Sequence, residues 1–276
     1  MKRKIDLNKL ILEVFLIITA ATAMIPVYYL FVSTFKSSNE TLLHPLALPK
    51  AFTLEYYKSA WEQMDYLRVL GNTAYVAILA LIFIIFLGSM AAYGISRCES
   101  KLTKIIFMFF LMGMMIPAQL NALPLFNLMK SLKLMDSLTG LSILYIFYSM
   151  PFTIFLYTGF ISTVPRDLEE AARIDGANIF QVFFRIVLPL LKPVTATVAT
   201  LQTLYIWNDF TYPLLFIQSR TKHTIIKEVY NNVGQFTVDW AAMFPMLVLG
   251  VIPLLIFYTF MQKYIVKGIT SGAVKG

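Results

Sequence analysis

The chain has 276 residues, 58% of them hydrophobic and only 14% charged, with mean hydropathy +0.71 and a formal net charge of +8. Soluble domains are about a quarter charged, and no soluble core hides several long charge-free runs, so the composition predicts an all-α, multi-pass membrane protein. A single cysteine, Cys98, excludes an intrachain disulfide. Two distant histidines, His44 and His223, give no metal site, and the excess of Lys and Arg is expected at the ends of spans rather than on nucleic acid.

Six apolar segments follow in chain order, each near the about 20 residues that cross a bilayer core. In the first, Leu10–Phe35, Ala21-Thr22-Ala23 imitates a leader cleavage site, but the apolar run continues through Met24–Val32 and reads as a retained anchor. A mixed-charge segment follows, in which Thr53–Arg68 reads as an amphipathic surface helix anchored by Tyr56, Tyr57 and Trp61. The second span, Gly71–Ser96, is uncharged and holds the small-residue run Gly88-Ser89-Met90-Ala91-Ala92-Tyr93-Gly94, which permits close helix approach. The third, Ile105–Met129, contains Pro117 and Pro124, and the fourth, Leu138–Val164, contains Pro151. The fifth, Leu190–Ser219, has Pro213 near its end, and the sixth, Trp240–Gln262, holds Pro245 and Pro253. Each proline frees a carbonyl and favours a kink. Of the 23 Lys and Arg, 14 fall on the side of the termini and nine on the other, so both termini are expected in the cytoplasm.

The polar segment 165–189, between the fourth and fifth spans, is expected on that same side. Pro165 suits the first turn of a helix. Asp167, Glu169 and Glu170 sit where the helix dipole favours acids, and Arg173 sits where it favours cations. Glu169 is spaced to pair with Arg173. Ala171 and Ala172 make a slim flank, and Gly176 is a natural stop. Asn178 and Gln181 then have capping-box spacing for a second helix, whose Phe180, Phe183, Phe184 and Val187 recur at helical spacing. The segment reads as a capped helical knob that enters the membrane at Leu188-Pro189 and suits docking of a partner.

Its spacing is more specific than that. Glu170-Ala171-Ala172, then Gly176, then Ile186 and Leu188-Pro189 resembles the EAA signature of ABC importer permeases. Gly71-Asn72-Thr73 resembles the family's entry to the second span. Trp207-Asn208-Asp209-Phe210 with Pro213-Leu214-Leu215 is similar to the sugar-importer subgroup, and the tail from Gln262 to Gly276 is similar to the smaller inner-membrane subunit of maltose-type transporters. The resemblance implies a type I ABC importer permease fold with six transmembrane helices and a cytoplasmic coupling helix. It implies a bacterial-type plasma-membrane protein carrying carbohydrate, with a polyol or glycerol phosphate as the alternative solute. It also implies a second permease subunit, a cytoplasmic ATPase dimer that holds the ATP and Mg, and an external solute-binding protein. Glu170, Ala171, Ala172, Arg173, Asp175, Gly176, Ile186, Leu188 and Pro189 would form the ATPase-coupling element.

The chain itself carries no G-x-x-x-x-G-K-[ST] loop to cradle phosphates and no Ser-His-Asp arrangement, so it is not expected to be an enzyme. An ion-driven secondary transporter would show more intramembrane acids and inverted repeats. Asp209 is the most unusual intramembrane charge, and such residues face a cavity or a partner. With Tyr205, Trp207, Asn208 and Tyr212 it offers aromatic and polar groups suited to a sugar, and equally an interfacial aromatic belt with a helix-packing Asn-Asp pair. Gln119 and Asn121 in the third span have the same two readings. The segments Lys36–Leu70 and Arg220–Asp239 are the expected seat of the binding protein, with Thr53–Arg68 equally readable as a simple membrane-edge helix.

Overall fold

The computed structural model describes residues 7–232 and 239–273, without a strand among them. In chain order the helices are α1 (Leu7–Ser33), α2 (Ser38–Leu43), α3 (Glu55–Met64), α4 (Tyr66–Arg97), α5 (Lys101–Met114), α6 (Ala122–Ser131), α7 (Leu138–Ile161) and α8 (Asp167–Ile174). They continue as α9 (Ile179–Leu190), α10 (Lys192–Asn208), α11 (Thr211–Phe216), α12 (Ile225–Asn231) and α13 (Trp240–Ala273). Among the described residues, α1, α4, α7 and α13 are long and apolar enough to cross a membrane. The pair α9–α10, bent by 74°, makes a fifth if counted as one span.

The third expected span is not one helix. α5 has 14 residues, roughly 21 Å at 1.5 Å per residue, and the chain then breaks at Met115–Pro117 before a 3₁₀ turn and α6. Pro117 supplies the reason, since it has no N–H to continue the ladder. The fifth expected span is also divided. α10 stops at Asn208, where Asp209 turns extended with ψ 129°, and α11 restarts at Thr211. The tail resemblance beyond Gln262 and the stretch 233–238 fall outside the described side chains.

The chain forms two compact units. In the one made of Met1–Tyr66 and Val229–Ile252, α1 is exposed over residues 8–28, as an apolar helix in lipid requires. Lys36 is fully buried and donates to the carbonyls of His44 and Pro45 at 2.9 and 3.0 Å, folding the chain after α1. The amphipathic helix expected through Arg68 ends at Met64. Asp65 adopts a left-handed conformation, φ 49°, and α4 begins at once at Tyr66, whose ring lies 4.5 Å from that of Trp61.

The other unit, Leu67–Glu228 with Pro253–Gly276, contains the main core. α7 is its axis. Leu141, Leu144, Tyr145, Ile154, Tyr157 and Ile161 are buried along the helix, which is apolar on every side and leaves Phe147 and Phe155 exposed. α4 approaches it closely at Gly88, where a Cβ would stand 2.4 Å from Thr153 Cγ2. Gly88→Ala is therefore expected to cost about 1–3 kcal/mol, read as a lower thermal midpoint in detergent, with Thr153→Ser relieving part of the loss. A Gly88→Ala protein as stable as the parent would show that the two helices separate freely.

Candidate functional site

The knob is built as the residue types dictate. Asp175 closes α8, and Gly176 follows at φ +85°, a conformation that suits glycine. The Gly176 N–H donates to Arg173 O at 3.0 Å and the Ala177 N–H to Ala172 O at 2.9 Å, the paired bonds of a Schellman stop. Asn178 accepts from the Gln181 N–H at 2.9 Å, and its own N–H donates to Gln181 Oε1 at 2.8 Å, so α9 starts with a complete capping box. Outward face Glu170, Ala171, Arg173, Asp175 and Gly176, together with Leu168 and Ile174, the last 86% exposed. The expected slim flank is split: Ala171 points out, while Ala172 and Ala177 pack against the core.

Glu169 behaves differently from its neighbours. It is only 3% exposed and accepts from Tyr93 Oη at 2.8 Å and from Arg97 Nε at 2.7 Å. Arg97 also donates to Val164 O at 3.0 Å. The expected Arg173 partner stands farther off, 4.0 Å from Glu169 Oε2. Sequence spacing pointed to the local i,i+4 pair and missed the partner 72 residues away, because no local periodicity records it. A charge at the very end of an apolar span, Arg97, was the available signal.

The elbow α9 contains a π turn over Phe183–Val187, with Ile186 half-buried in it, and Leu188 packs inward while Pro189 is exposed. Phe183 lies 5.3 Å from the Tyr93 ring, and Phe184 stacks at 6.1 Å on Phe86. π turns occur mostly at functional positions in helices.

Beyond the elbow, α10 is tied to α7 by polar bonds at three heights. Tyr157 Oη donates to Thr195 Oγ1 at 2.9 Å, Ser149 Oγ to Gln202 Oε1 at 2.8 Å, and Tyr145 Oη to Asp209 Oδ2 at 2.7 Å. Gln202 Nε2 also reaches Thr153 Oγ1 at 3.5 Å. Such bonds hold helices together where lipid supplies no hydrophobic drive. Around the middle tie lies a cavity of about 210 Å³ lined by Tyr148, Ser149, Phe152, Leu201, Gln202 and Tyr205. Tyr148 and Tyr205 stack face to face, 6.0 Å apart and 8° from parallel. Aromatic faces beside an amide and a hydroxyl can hold a polar molecule with an apolar underside.

Among the described residues expected in the pathway, only Tyr205 lines this cavity. Asp209 is engaged structurally: besides Tyr145, it accepts from the backbone N–H of Thr211 and Tyr212, both at 3.1 Å, and so caps α11. Trp207 and Tyr212 are buried, and exposed Asn208 donates to Leu204 O at 2.8 Å. Asn121 stands at the start of α6, away from the cavity lining, and the Gln119 side chain lies outside the described residues. Tyr148, Ser149, Phe152 and Gln202 were missed. Ser149 and Gln202 did carry a signal, a polar stripe of Tyr145, Ser149, Thr153 and Tyr157 every fourth residue on α7 and of Thr195, Gln202 and Asp209 every seventh along α10 and its C-cap.

At the opposite end from the knob, the loop after α11 is strapped to α4 and α7. Asn72 donates to the carbonyls of Thr221 and His223, both at 2.9 Å, and the Ile225 N–H donates to Thr73 Oγ1 at 2.9 Å. Asp136 accepts from the N–H groups of Gln218 and Ser219 and from Lys222 Nζ at 3.1 Å. Burial by itself would raise its pKa, but the bonds from Ser219, Gln218 and Lys222 outweigh it and hold the carboxyl far below the usual range. Lys227 is buried among the carbonyls of Pro213, Leu214 and Ile217, and burial pushes its ammonium down.

Residues 84–271 match the family model described as binding-protein-dependent transport system inner membrane component. The chain is 33% identical over 279 residues to the multiple sugar-binding transport system permease protein MsmG of Streptococcus mutans, covering all of both proteins. It is 32% identical over 260 residues to the melibiose/raffinose/stachyose import permease protein MelC of Bacillus subtilis, covering 94% of each. Its fold is similar to that of a chain in a bacterial ABC transporter involved in the import of the acidic polysaccharide alginate, with TM-score 0.85, 22% identity, and coverage of 96% of this chain and 98% of that one.

Proposed function

The chain belongs to the family of binding-protein-dependent transport system inner membrane components, and from that premise we propose that it is a membrane-spanning permease subunit of an ATP-driven carbohydrate importer. The observation that carries the reading is the knob at α8. It has the EAA spacing, a fixed glycine turn, and an exposed face where Leu168, Ala171 and Ile174 are unusually apolar for a helix so rich in charge. An exposed apolar face rimmed by charge marks an interaction site. The partner it fits is a cytoplasmic ATPase, which holds the nucleotide and Mg. Glu170 and Asp175 are then available to basic groups of the ATPase and Arg173 to its acids.

Movement of the seated knob travels through the capped turn and the π-bearing elbow into α10. α10 forms one wall of the Tyr148–Gln202–Tyr205 cavity, so the same motion carries the place where a sugar ring would rest. A second permease subunit completes the pathway, and an external solute-binding protein delivers the sugar to the strapped end.

Affinity-tagged chain, expressed with its neighbouring transport components, is expected to retain an ATPase subunit through purification. In proteoliposomes it should take up an oligosaccharide only with ATP and binding protein present. Uptake driven by an ion gradient without ATP would overturn this reading, and a polyol taken up in preference to a sugar would move the solute class alone.

A further inference from the structure

We infer that Glu169, clamped by Arg97 and Tyr93, is a positioning residue that makes α4 a second output of the knob, alongside α10. The inference rests on the reading of α8 as the ATPase-docking helix. The neighbours Glu169 and Glu170 divide the work: Glu170 is exposed toward the partner, whereas the Glu169 side chain is 4% exposed and points back into the protein. A buried carboxylate is costly unless paired and hydrogen-bonded. Here both oxygens are satisfied, Oε1 by Arg97 and Oε2 by Tyr93. The Arg97 side chain is 12% exposed and holds Val164 O at the same time, so one guanidinium pins both the entry to α8 and its first turn to the end of α4. Tyr93 adds a ring contact to Phe183 in the elbow.

A displaced α8 cannot leave α4 behind without breaking this ion pair. The motion then has a continuous route inward. α4 abuts α7 where Gly88 meets Thr153 with no space for a methyl group, and Thr153 Oγ1 is the acceptor reached by Gln202 of the cavity wall. The elbow drives one wall of the cavity and the clamp drives the other, so the tied pair is moved from both sides, and ATPase closure is converted into solute movement only when both are intact. Spatial continuity by itself is not coupling, and the ratio of transport to hydrolysis supplies the measurement.

The assembled complex of this chain, second permease, ATPase and binding protein is reconstituted in proteoliposomes. Solute uptake and ATP hydrolysis are both measured per complex. Hydrogen bonds to charged groups are among the stronger kind, so Glu169→Gln is expected to lower solute moved per ATP about tenfold, with binding-protein-stimulated hydrolysis within about twofold of the parent. Tyr93→Phe, which keeps the ring and the ion pair, should lower the ratio about threefold. The exchange Arg97→Glu with Glu169→Arg should recover a large part of what either single reversal loses. An unchanged ratio in Glu169→Gln and Tyr93→Phe overturns the inference. So does a fall of uptake and hydrolysis in equal proportion, the signature of a merely structural role. If Glu169→Gln does not assemble, Tyr93→Phe decides alone. A parent chain that retains no ATPase refutes the proposed function itself, whereas a retained ATPase with an unmoved ratio refutes only the clamp.

Discussion

Gly176→Val is expected to abolish solute uptake while the protein still reaches the membrane. The position has φ +85°, where a β-branched residue is strained by about 1–3 kcal/mol. A Cβ there would meet nothing within 4 Å, so the penalty is conformational and not steric. Relief of the strain must come from the turn itself, and the bonds at risk are those from Gly176 to Arg173 and from Ala177 to Ala172. With them goes the fixed angle between α8 and the capped start of α9. Asparagine tolerates the left-handed region better, so Gly176→Asn should keep most of the uptake at equal membrane level. Glu170→Lys tests the same surface from outside, reversing an exposed charge without touching the core, and should likewise uncouple hydrolysis from uptake. Membrane abundance by immunoblot, uptake by labelled sugar and ATPase rate on the purified complex together read the result. Normal uptake by Gly176→Val would remove the turn from the mechanism.

The second large effect is expected at the cavity. Gln202→Leu removes the amide that bonds Ser149 and Thr153 while keeping similar bulk. A site built to hydrogen-bond a solute loses it heavily when the partner is removed, so KM for uptake should rise about tenfold or more with the ATPase still assembled. Asp209→Ala should behave in the opposite manner. It leaves Tyr145 without its acceptor and α11 without its cap, which costs about 1–3 kcal/mol. Its effect should be a lower thermal midpoint with solute preference unchanged. A selectivity change from Asp209→Ala with unaltered stability would return that carboxylate to the pathway.

The contrast between these two residues shows where the sequence was legible. Local devices were readable because their causes lie within a few residues: Gly176 as a stop, Asn178 with Gln181 as a cap, Pro151 tolerated in a helix otherwise apolar on all sides. The charge of Asp209 drew attention for a sound reason, since an acid in a span needs a partner, but which partner depends on α7, 64 positions away. Gln202 is neutral and sits among threonines, so nothing local separates it from packing. The interruptions of the third and fifth expected spans were visible as Pro117 and Asp209 but looked like kinks in continuous helices, because hydropathy measures length of apolar chain and not continuity of hydrogen bonding. Glu169 carries the same lesson at the surface, where a local pair at i,i+4 masked a stronger one to Arg97.

The ties along α7 and α10 have a mechanical meaning. Tyr157–Thr195, Ser149–Gln202 and Tyr145–Asp209 descend one helix as they climb the other, like pegs through two antiparallel rods. Sliding one rod by a turn, about 5.4 Å, would shear all three pegs together, whereas swinging the pair as a body shears none. The cavity between the rods is thus carried, not pried open. A gate for the solute has to form along the flanks that this pegged pair presents to its surroundings.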